Sequence, residues 1–505
     1  MACARLSPGE RPVSAFGRVL RIVTLAGASL FPLAYVTLAL LRLGHPFELE
    51  WMEGGTLQHV QRIQAGEPLY VPPTLDWAPF IYAPLYYYAS ALASSLLGPG
   101  IAPLRLVSLL ASLGCFALVF LVVRRDTKDG VAAVLAGCLL AATYAESGTF
   151  FDLARADSLY LVLLLAAVVL AWSGTTARGA IACAVLLALA CLTKQPALLA
   201  APALAVVHAR RGRRQGIVFV ATFVVVLCGA VLALDAIHEG WFLFYVYGLS
   251  GQGPIKRVLV TFWMRDVIAP FSIAALVTAA SLWLRRARGD ARGAAEWAWL
   301  LAALVTPAWA SRFNVGSDVN VLMPMHAALA IGFGLGWHEL RVRLDALAAD
   351  ARVPAWAMAW LACLAQFARL AYSPIPLVPR PADREAGQAF VRALPDLPGP
   401  VLLPNHPYLL ERAGLPGHAH QVGINQILNG RPSAWRDRIA AEQRGAIRER
   451  RYGAVVLDGW FWFKDDVERC YRPLRPAIED PEAFWPVAGA HLRPETIYVP
   501  ADSCR

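Results

Sequence analysis

Long apolar runs, separated by short basic or polar stretches, dominate this chain. The first run, residues 22–41, contains 20 uncharged residues and follows several arginines. A run of that length suits one membrane-spanning helix and exceeds a signal-peptide core, so it predicts an uncleaved anchor that enters from the cytoplasm. Further apolar runs occupy residues 106–123, 131–145, 158–172, 180–192, 196–207, 216–234, 267–284, 297–310, 319–337 and 354–367.

Residues 80–97 decide which side of the membrane each later loop faces. The segment opens with prolines and tyrosines before it turns apolar. If it lies along the interface, the basic clusters that begin at Arg124, Arg210, Arg285 and Arg341 all face the cytoplasm with the N-terminus; if it spans, the first three face outward. Basic residues favour the cytoplasmic side, which indicates an interfacial helix. We therefore predict an all-α polytopic membrane protein with about eleven transmembrane helices plus interfacial helices.

The C-terminal part of the chain differs in composition from the rest. Residues 372–505 are rich in Pro, Arg and Asp, and strand-like runs such as 401–404 and 454–458 alternate with helical stretches. We expect two domains. Residues 1–371 form the polytopic membrane domain, whose first outer loop, residues 42–102, carries the interfacial helices. Residues 372–505 form a small extracytoplasmic α/β domain.

Composition excludes several classes of protein. The 505 residues are 57% hydrophobic and only 16% charged, and the mean hydropathy is +0.49, which does not suit a water-soluble domain. The net charge of +10 comes from clusters between apolar runs, so we expect topology signals and no nucleic-acid partner. The nine cysteines show no C-x-x-C spacing, and among them only Cys470 and Cys504 are candidates for pairing.

Common catalytic motifs are missing from the sequence, and two suggestive patterns have structural explanations. There is no P-loop, H-E-x-x-H or G-x-S-x-G. The glycines at 332, 334 and 336 lie in an apolar helix, where small residues usually permit close helix packing. His406, His418 and His420 have no acidic or cysteine partner at metal-ligand spacing, so we expect surface or loop histidines.

Acidic residues near the predicted outer membrane face are the main candidates for chemistry. The first outer loop places Glu50 and Glu53 beside Trp51, where a carboxylate can stay hydrated and reach a lipid-borne substrate. The Pro- and Tyr-dense stretch 78–88 that follows could stack against a sugar or line a lipid groove. An aromatic belt at the membrane interface is the alternative.

A second charged group lies before the run 158–172. Asp152, Arg155 and Asp157 stand near the start of that helix, where the helix dipole favours a carboxylate by about 0.3 to 1 kcal/mol. The dipole accounts for one aspartate but not for the cluster, which indicates a functional site. Lys194 joins two short apolar runs on the same side, where its ammonium could hold a lipid phosphate or extend to lipid head groups.

Several short motifs, taken in order, resemble one family. They are Glu50-Trp-Met-Glu53, Gly66-Glu-Pro-Leu-Tyr70, Tyr82-Ala-Pro-Leu-Tyr-Tyr-Tyr88, Ala154-Arg-Ala-Asp157, Leu192-Thr-Lys-Gln195 and Asn320-Val-Leu-Met-Pro324. Over residues 20–370 the chain resembles the GT-C superfamily of polyprenyl-phosphate-sugar-dependent glycosyltransferases. The matching branch includes protein mannosyltransferases, aminoarabinose transferases and lipopolysaccharide-core galacturonosyltransferase-like proteins.

The resemblance implies transfer of a sugar from a polyprenyl-phosphate donor to an acceptor hydroxyl on a lipid, glycan or protein. The reaction would take place at the extracytoplasmic face with inversion at the anomeric carbon. Glu53 matches the family's first-loop acid and is the implied general base, with Glu50 as the alternative, while Asp157 would orient the acceptor or a metal. The implied contacts to phosphate and substrate are Arg155, Lys194, Tyr82, Tyr86 and Asn320.

Three questions stay open at this point. Many family members carry adjacent acids or Asp-x-Asp in the first outer loop, whereas this chain has acids at positions 50 and 53, so a divalent cation such as Mg or Mn is an alternative rather than a requirement.

A transporter or flippase of lipid-linked sugar, or an inactive relative that binds it, would also use charged residues at the membrane edge. The lack of N-x-S/T sites and the Arg- and Ala-rich composition indicate a bacterial inner membrane.

Overall fold

The computed structural model describes residues 15–249, 257–314 and 317–504, and most of them are helical. Arg5 and Arg11, two of the arginines that precede the first apolar run, lie outside the described residues. Each predicted apolar run forms a helix, so this part of the fold prediction is confirmed. The helices up to residue 369 are α1 (Ala15–Leu43), α2 (Glu53–Gln64), α3 (Leu85–Leu97), α4 (Ile101–Thr127), α5 (Gly130–Ala142), α6 (Asp157–Ser173), α7 (Ala177–Cys191), α8 (Ala201–Arg211), α9 (Arg213–Ile237), α10 (Trp241–Leu243), α11 (Val258–Thr261), α12 (Ala269–Ala287), α13 (Ala291–Ser311), α14 (Met323–Asp345) and α15 (Ala349–Arg369).

Several helices have the length and composition of membrane spans. Within the described ranges, five helical stretches are long and apolar enough to cross a membrane: Phe16–Leu43, Ile101–Thr127, Arg213–Ile237, Phe262–Ala287 and Val319–Asp345. The helices α5, α6 and α7 are apolar but shorter, at about 20 to 26 Å for a rise of 1.5 Å per residue. A bilayer core is about 30 Å thick, so the count of about eleven spanning helices stays a prediction.

The segment that decides the topology forms a shorter helix than its sequence suggests. Pro84 disfavours a helical conformation in the residue before it, and α3 begins only behind this proline, at Leu85. Phe80 and Tyr82 therefore precede the helix instead of heading it. With 13 residues, α3 is about 20 Å long and too short to cross a bilayer core unaided, which supports an interfacial position.

Glycines allow α14 to approach α12 closely. A Cβ added at Gly336 would lie 2.3 Å from the carbonyl oxygen of Val277, and one at Gly332 would lie 2.3 Å from the side chain of Thr278. Neither position has room for a side chain, so the predicted packing role of these glycines is confirmed. The helix α14 is almost wholly buried and forms the centre of the bundle.

We expect Gly336→Leu to lower the thermal unfolding temperature of the protein in detergent. The added side chain must displace the backbone at Val277, and overpacking of this kind typically costs about 1–3 kcal/mol or more. Gly229→Leu in α9 is the matched control, because nothing lies within 4 Å of a Cβ at that exposed position. Equal unfolding temperatures for the two variants would contradict the packing role.

The C-terminal part contains a small mixed sheet flanked by helices, as predicted. The strand order is β1-β2-β4-β3; β1 and β2 are parallel, and β4 is antiparallel to both β2 and β3. The two predicted strands correspond to β1 and β2, and Cys470 and Cys504 form a disulfide. The domain boundary after residue 371 stays a prediction. The elements are α16 (Pro381–Ala393), β1 (Val401–Leu402), α17 (Tyr408–Arg412), α18 (Gln421–Leu428), α19 (Ala434–Arg448), β2 (Ala454–Leu457), α20 (Lys464–Cys470), β3 (Tyr471–Pro476) and β4 (Thr496–Pro500).

The C-terminal part packs directly on the first outer loop. The amide of Ala488 donates a hydrogen bond of 2.9 Å to the carbonyl of Leu49. A Cβ added at Gly54, in the first turn of α2, would lie 2.2 Å from the ring of Tyr408. This close contact explains the glycine at that position, and it places the acids of the first loop between the helical bundle and the C-terminal part.

Candidate active site

Glu53 is a buried acid whose two carboxylate oxygens are fully engaged. Its Oε1 accepts hydrogen bonds from Arg105 Nε at 3.0 Å and from the amide of Ala154 at 2.7 Å. Its Oε2 accepts from Arg105 Nη2 at 2.5 Å and from the amide of Leu49 at 2.7 Å. The side chain is completely shielded from solvent. Glu53 therefore connects the first outer loop to α4 and to the loop before α6.

Arg105 completes this connection from the first turns of α4. Its guanidinium also donates to the backbone carbonyls of Arg42, His45 and Phe47 at 3.1, 2.7 and 2.6 Å. Burial alone would raise the pKa of Glu53, but the charge and hydrogen bonds of Arg105, together with the two backbone amides, lower it below the ordinary value. An acid held in this way is a weak proton acceptor, which argues for a structural role.

Glu50 lies in a different environment from Glu53. Its Oε2 accepts from Arg155 Nη1 at 2.7 Å and from the amide of Met52 at 3.2 Å. Within the described ranges both of these bonds go to Oε2, so Oε1 is available to another donor. Burial raises the pKa of Glu50 above its ordinary value and outweighs the opposing charge of Arg155. Of the two candidate bases, Glu50 and Glu53, Glu50 is the better proton acceptor.

Tyr82 lies between two cations. Arg155 Nη2 donates to the Tyr82 hydroxyl at 3.2 Å, and the guanidinium carbon lies 5.7 Å from the centre of the ring. Lys194 Nζ lies 5.9 Å from the same ring centre. Both distances suit cation–π contact, so Tyr82 joins the two charged groups that the sequence places far apart.

The second charged group is centred on Asp157, the first residue of α6. Its Oδ1 accepts from Lys194 Nζ at 2.5 Å and from Asn320 Nδ2 at 3.0 Å. The lysine is positioned by the turn after α7, and the asparagine by the 3₁₀ turn before α14. The structure therefore brings Asp157, Lys194 and Asn320 together, and Tyr82 links them to Arg155 and to Glu50.

Tyr86 lies apart from this group. Its hydroxyl donates to the carbonyl of Leu104 at 2.8 Å and contacts Ser108 Oγ at 3.0 Å, and the side chain is fully buried. These contacts hold α3 against α4. The geometry therefore gives Tyr86 a packing role and offers no support for the substrate contact expected from the resemblance.

Arg42, Tyr144 and Arg105 support the site, although the sequence predicts no role for them. Arg42, at the end of α1, forms a buried ion pair with Asp152 at 3.2 Å, and Tyr144 donates to Asp152 at 2.8 Å. Arg105 has no predicted role either, and it directly precedes the apolar run 106–123. Because α4 begins earlier, at Ile101, Arg105 lies inside the helix, where an arginine is costly unless it is paired.

The histidines of the C-terminal part lie in loops or at a helix start, in line with the prediction, but two of them are not at the surface. His406 and His420 lie in loops or at a helix end, but both are buried, because the first outer loop covers them. His406 Nδ1 lies 2.5 Å from Glu48 Oε2, and its Nε2 lies 3.8 Å from Asp458 Oδ2. Burial lowers the pKa of His406 to about 4 and raises the pKa of Glu48 well above its ordinary value. The two side chains therefore form a buried hydrogen-bonded pair between the first loop and the C-terminal part.

The acids of the site do not fit a divalent-metal site. Glu53 is saturated by Arg105 and two amides, and Asp157 is neutralised by Lys194. Among the residues that the structure describes, no cluster of three or more His, Cys, Asp or Glu side chains is arranged to hold a metal ion. Glu53 and Asp157 are therefore each engaged by a cation of the protein itself.

Comparisons with known proteins bear on the fold. A family model described as dolichyl-phosphate-mannose-protein mannosyltransferase matches residues 81–237, and no curated protein sequence matches the chain. ArnT from Cupriavidus metallidurans bound to undecaprenyl phosphate is similar with a TM-score of 0.59 and 14% identity, over 97% of this chain and 99% of that chain. The apo state of ArnT gives 0.58 and 13%, over 93% and 97%. The chain thus has the fold of ArnT, and together with the family-model match over residues 81–237 this agrees with the resemblance seen in its sequence.

Proposed function

We propose that this chain is a membrane glycosyltransferase that moves a sugar from a polyprenyl-phosphate donor to an acceptor hydroxyl, with inversion. The observation that carries the proposal is the meeting of two acid–cation pairs, Glu50–Arg155 and Asp157–Lys194, at Tyr82. The ArnT fold supports it, because one of the matched structures holds undecaprenyl phosphate. The acceptor is a lipid, a glycan or a protein.

Glu50 is the proposed general base. As the acceptor oxygen attacks the anomeric carbon, its proton passes to the Glu50 carboxylate and the bond from the anomeric carbon to the phosphate oxygen breaks. The electron pair of that bond leaves with the polyprenyl phosphate. Base catalysis is most effective when the pKa of the base is raised toward the working pH, and burial shifts the pKa of Glu50 in that direction.

Lys194 and Arg155 are the proposed phosphate contacts. A lysine has three N–H donors and an arginine has five, and in the described part of the chain only some of these are used, by Asp157, Glu50 and Tyr82. The remaining donors can form charge-assisted hydrogen bonds to phosphate oxygens. Because each cation already faces a carboxylate, the site stays close to neutral before the donor binds.

The orientation in the membrane is part of the proposal. We place the N-terminus in the cytoplasm and the site and C-terminal domain on the extracytoplasmic side of a bacterial inner membrane. The basic clusters between the apolar runs and the short α3 helix support this orientation. Membrane-impermeant labelling of a cysteine introduced at exposed Arg431 in intact cells tests it, and labelling only after lysis would contradict it.

We expect Lys194→Gln to weaken the binding of undecaprenyl phosphate about 10- to 150-fold. A hydrogen bond to a charged group contributes about 1.5–3 kcal/mol, and glutamine keeps a side chain of similar size without the charge. The measurement is the dissociation constant of undecaprenyl phosphate for the protein in nanodiscs. Lys464→Gln is the control, because this lysine is exposed in the C-terminal part. Unchanged affinity in Lys194→Gln would remove Lys194 from the site.

Transfer itself is tested with the purified full-length protein in proteoliposomes. We expect radiolabelled sugar to pass from undecaprenyl-phosphate hexoses or pentoses to a component of a cell-envelope extract. Movement of the labelled lipid across the bilayer without a transferred product would instead support a flippase. Binding without either outcome would indicate an inactive relative.

A further inference from the structure

We infer that the C-terminal domain completes the active site with an aromatic platform, Trp460 and Trp462, that binds the carbohydrate of the acceptor. This inference rests on the proposed function, because it concerns the acceptor side of the same reaction. The two tryptophans belong to the segment Asp458-Gly-Trp-Phe-Trp-Phe463, which we call the tryptophan loop. It connects β2 to α20.

The tryptophan loop alternates between exposed and buried aromatic side chains. Trp460 and Trp462 are 45% and 47% exposed, whereas Phe461 and Phe463 are buried. The two phenylalanines anchor the loop in the core of the C-terminal part. The indoles are therefore held outward by the packing of their neighbours, and they offer a large apolar surface for a ligand.

Hydrogen bonds fix the loop before any ligand binds. Asn405 Nδ2 donates to both carboxylate oxygens of Asp458, at 2.8 and 2.7 Å, and to the carbonyl of Trp460 at 2.9 Å. The amide of Trp460 donates to Asp458 Oδ1 at 3.0 Å. A surface ordered in advance loses little entropy when a ligand binds, so this arrangement suits a recognition site.

The loop is physically continuous with the candidate base. The ring of Trp460 meets the ring of Trp51 edge to face, with centres 5.6 Å apart, and Trp51 follows Glu50 directly in the sequence. Asn405 is followed by His406, which pairs with Glu48 of the first outer loop. The tryptophan loop is thus in contact with the segment that carries Glu50 through Trp51, and its neighbour His406 pairs with Glu48 of the same segment.

The position of the platform points to the acceptor sugar. The cations proposed to hold the donor phosphate lie at Tyr82, whereas the platform extends from Trp51 into the C-terminal part. An acceptor that donates a hydroxyl proton to Glu50 must lie next to that residue, and its ring can rest on the adjacent indoles. Tryptophan supplies a broad, rigid contact area at low conformational-entropy cost. Tryptophans that only mark a membrane interface need neither the hydrogen bonds from Asn405 nor contact with the base loop.

The test uses 5-fluorotryptophan-labelled full-length protein in nanodiscs and fluorine NMR. The signals of the two residues are assigned with Trp460→Phe and Trp462→Phe. The probes are the methyl glycosides of glucose, galactose, mannose, N-acetylglucosamine and galacturonic acid. We expect at least one glycoside to shift both signals saturably, with or without undecaprenyl phosphate. The inference is overturned if no glycoside shifts them, or if spin-labelled lipids broaden them, since the latter shows insertion into the bilayer.

A kinetic measurement separates this inference from the proposed function. Once a transfer substrate is in hand, Trp460→Ala and Trp462→Ala should raise the KM for the acceptor more than about tenfold, as loss of a buried aromatic contact does, while the KM for the donor stays constant. Trp283→Ala, in an exposed position on α12, is the control. Normal acceptor KM in both loop variants overturns the platform but not the transferase. Binding of a glycoside without any sugar transfer supports the platform but overturns the transferase.

Discussion

Glu50→Gln is expected to lose sugar transfer almost completely, with kcat lowered about 10²- to 10⁴-fold. Glutamine can still accept the hydrogen bond from Arg155 that Glu50 Oε2 accepts in the native protein, but it leaves this buried arginine without its counter-charge. The transfer rate is therefore referred to the amount of folded protein. Glutamine cannot take the acceptor's proton. Single-turnover transfer by the variant in nanodiscs, at saturating donor and acceptor, measures this loss directly.

Two further measurements make the test specific. Glu449→Gln, which alters an exposed acid far along the chain, should transfer sugar at the native rate. In the native enzyme, kcat/KM should rise with pH as Glu50 loses its proton, with a midpoint above about 4.3, the ordinary pKa of glutamate, because burial raises the pKa of Glu50. A Glu50→Gln variant with native kcat would exclude Glu50 as the base.

Glu53→Gln is expected to act mainly on stability, by about 3–5 kcal/mol. The substitution leaves the guanidinium of Arg105 buried without its counter-charge, and it also alters the acceptors for the amides of Leu49 and Ala154. The free energy of unfolding, measured by denaturant titration in mixed micelles, should fall by this amount. Donor affinity measured well below the unfolding transition should change little.

The partner substitution provides the matched comparison. Arg105→Met removes the cation and its bonds to three backbone carbonyls, so it should be destabilising alone. The double variant Glu53→Gln with Arg105→Met should be more stable than the sum of the single effects predicts, because no unpaired charge remains. Strict additivity would show that the two side chains do not interact, in conflict with the geometry.

The helical fold could be predicted from the sequence because apolar runs of this length have few alternatives. The candidate site residues could also be recognised, since charged groups such as Arg155 and Lys194 are rare next to apolar helices. The partners of these residues could not be predicted from the sequence. Glu50 and Arg155 are far apart in the chain. Glu53 pairs with Arg105 and Glu50 pairs with Arg155, and this assignment depends on how α4 packs against the first loop. Residue spacing carries no information about that choice.

The contribution of the C-terminal part was the least predictable. The sequence indicated its strands, and β1 and β2 occur where the strand-like runs lie. His406 lies in a loop, which is one of the two predicted settings, but nothing in its sequence neighbourhood shows that Glu48 covers it. The alternation of tryptophan and phenylalanine after β2 was the available signal for the tryptophan loop, but an alternating pattern does not reveal what the outward side chains face.

The contact of Ala488 with Leu49 also has a consequence for biosynthesis. A Cβ at Gly489 would lie 2.7 Å from Glu50 Cγ, so the surroundings of this acid are completed by residues that are translated after the helices α1–α15. Chains that fold as they emerge from the ribosome insert those helices before that segment is made. The surroundings of Glu50 are therefore unfinished while the bundle is already in the membrane, and the proposed reaction cannot begin until the C-terminal part has been added.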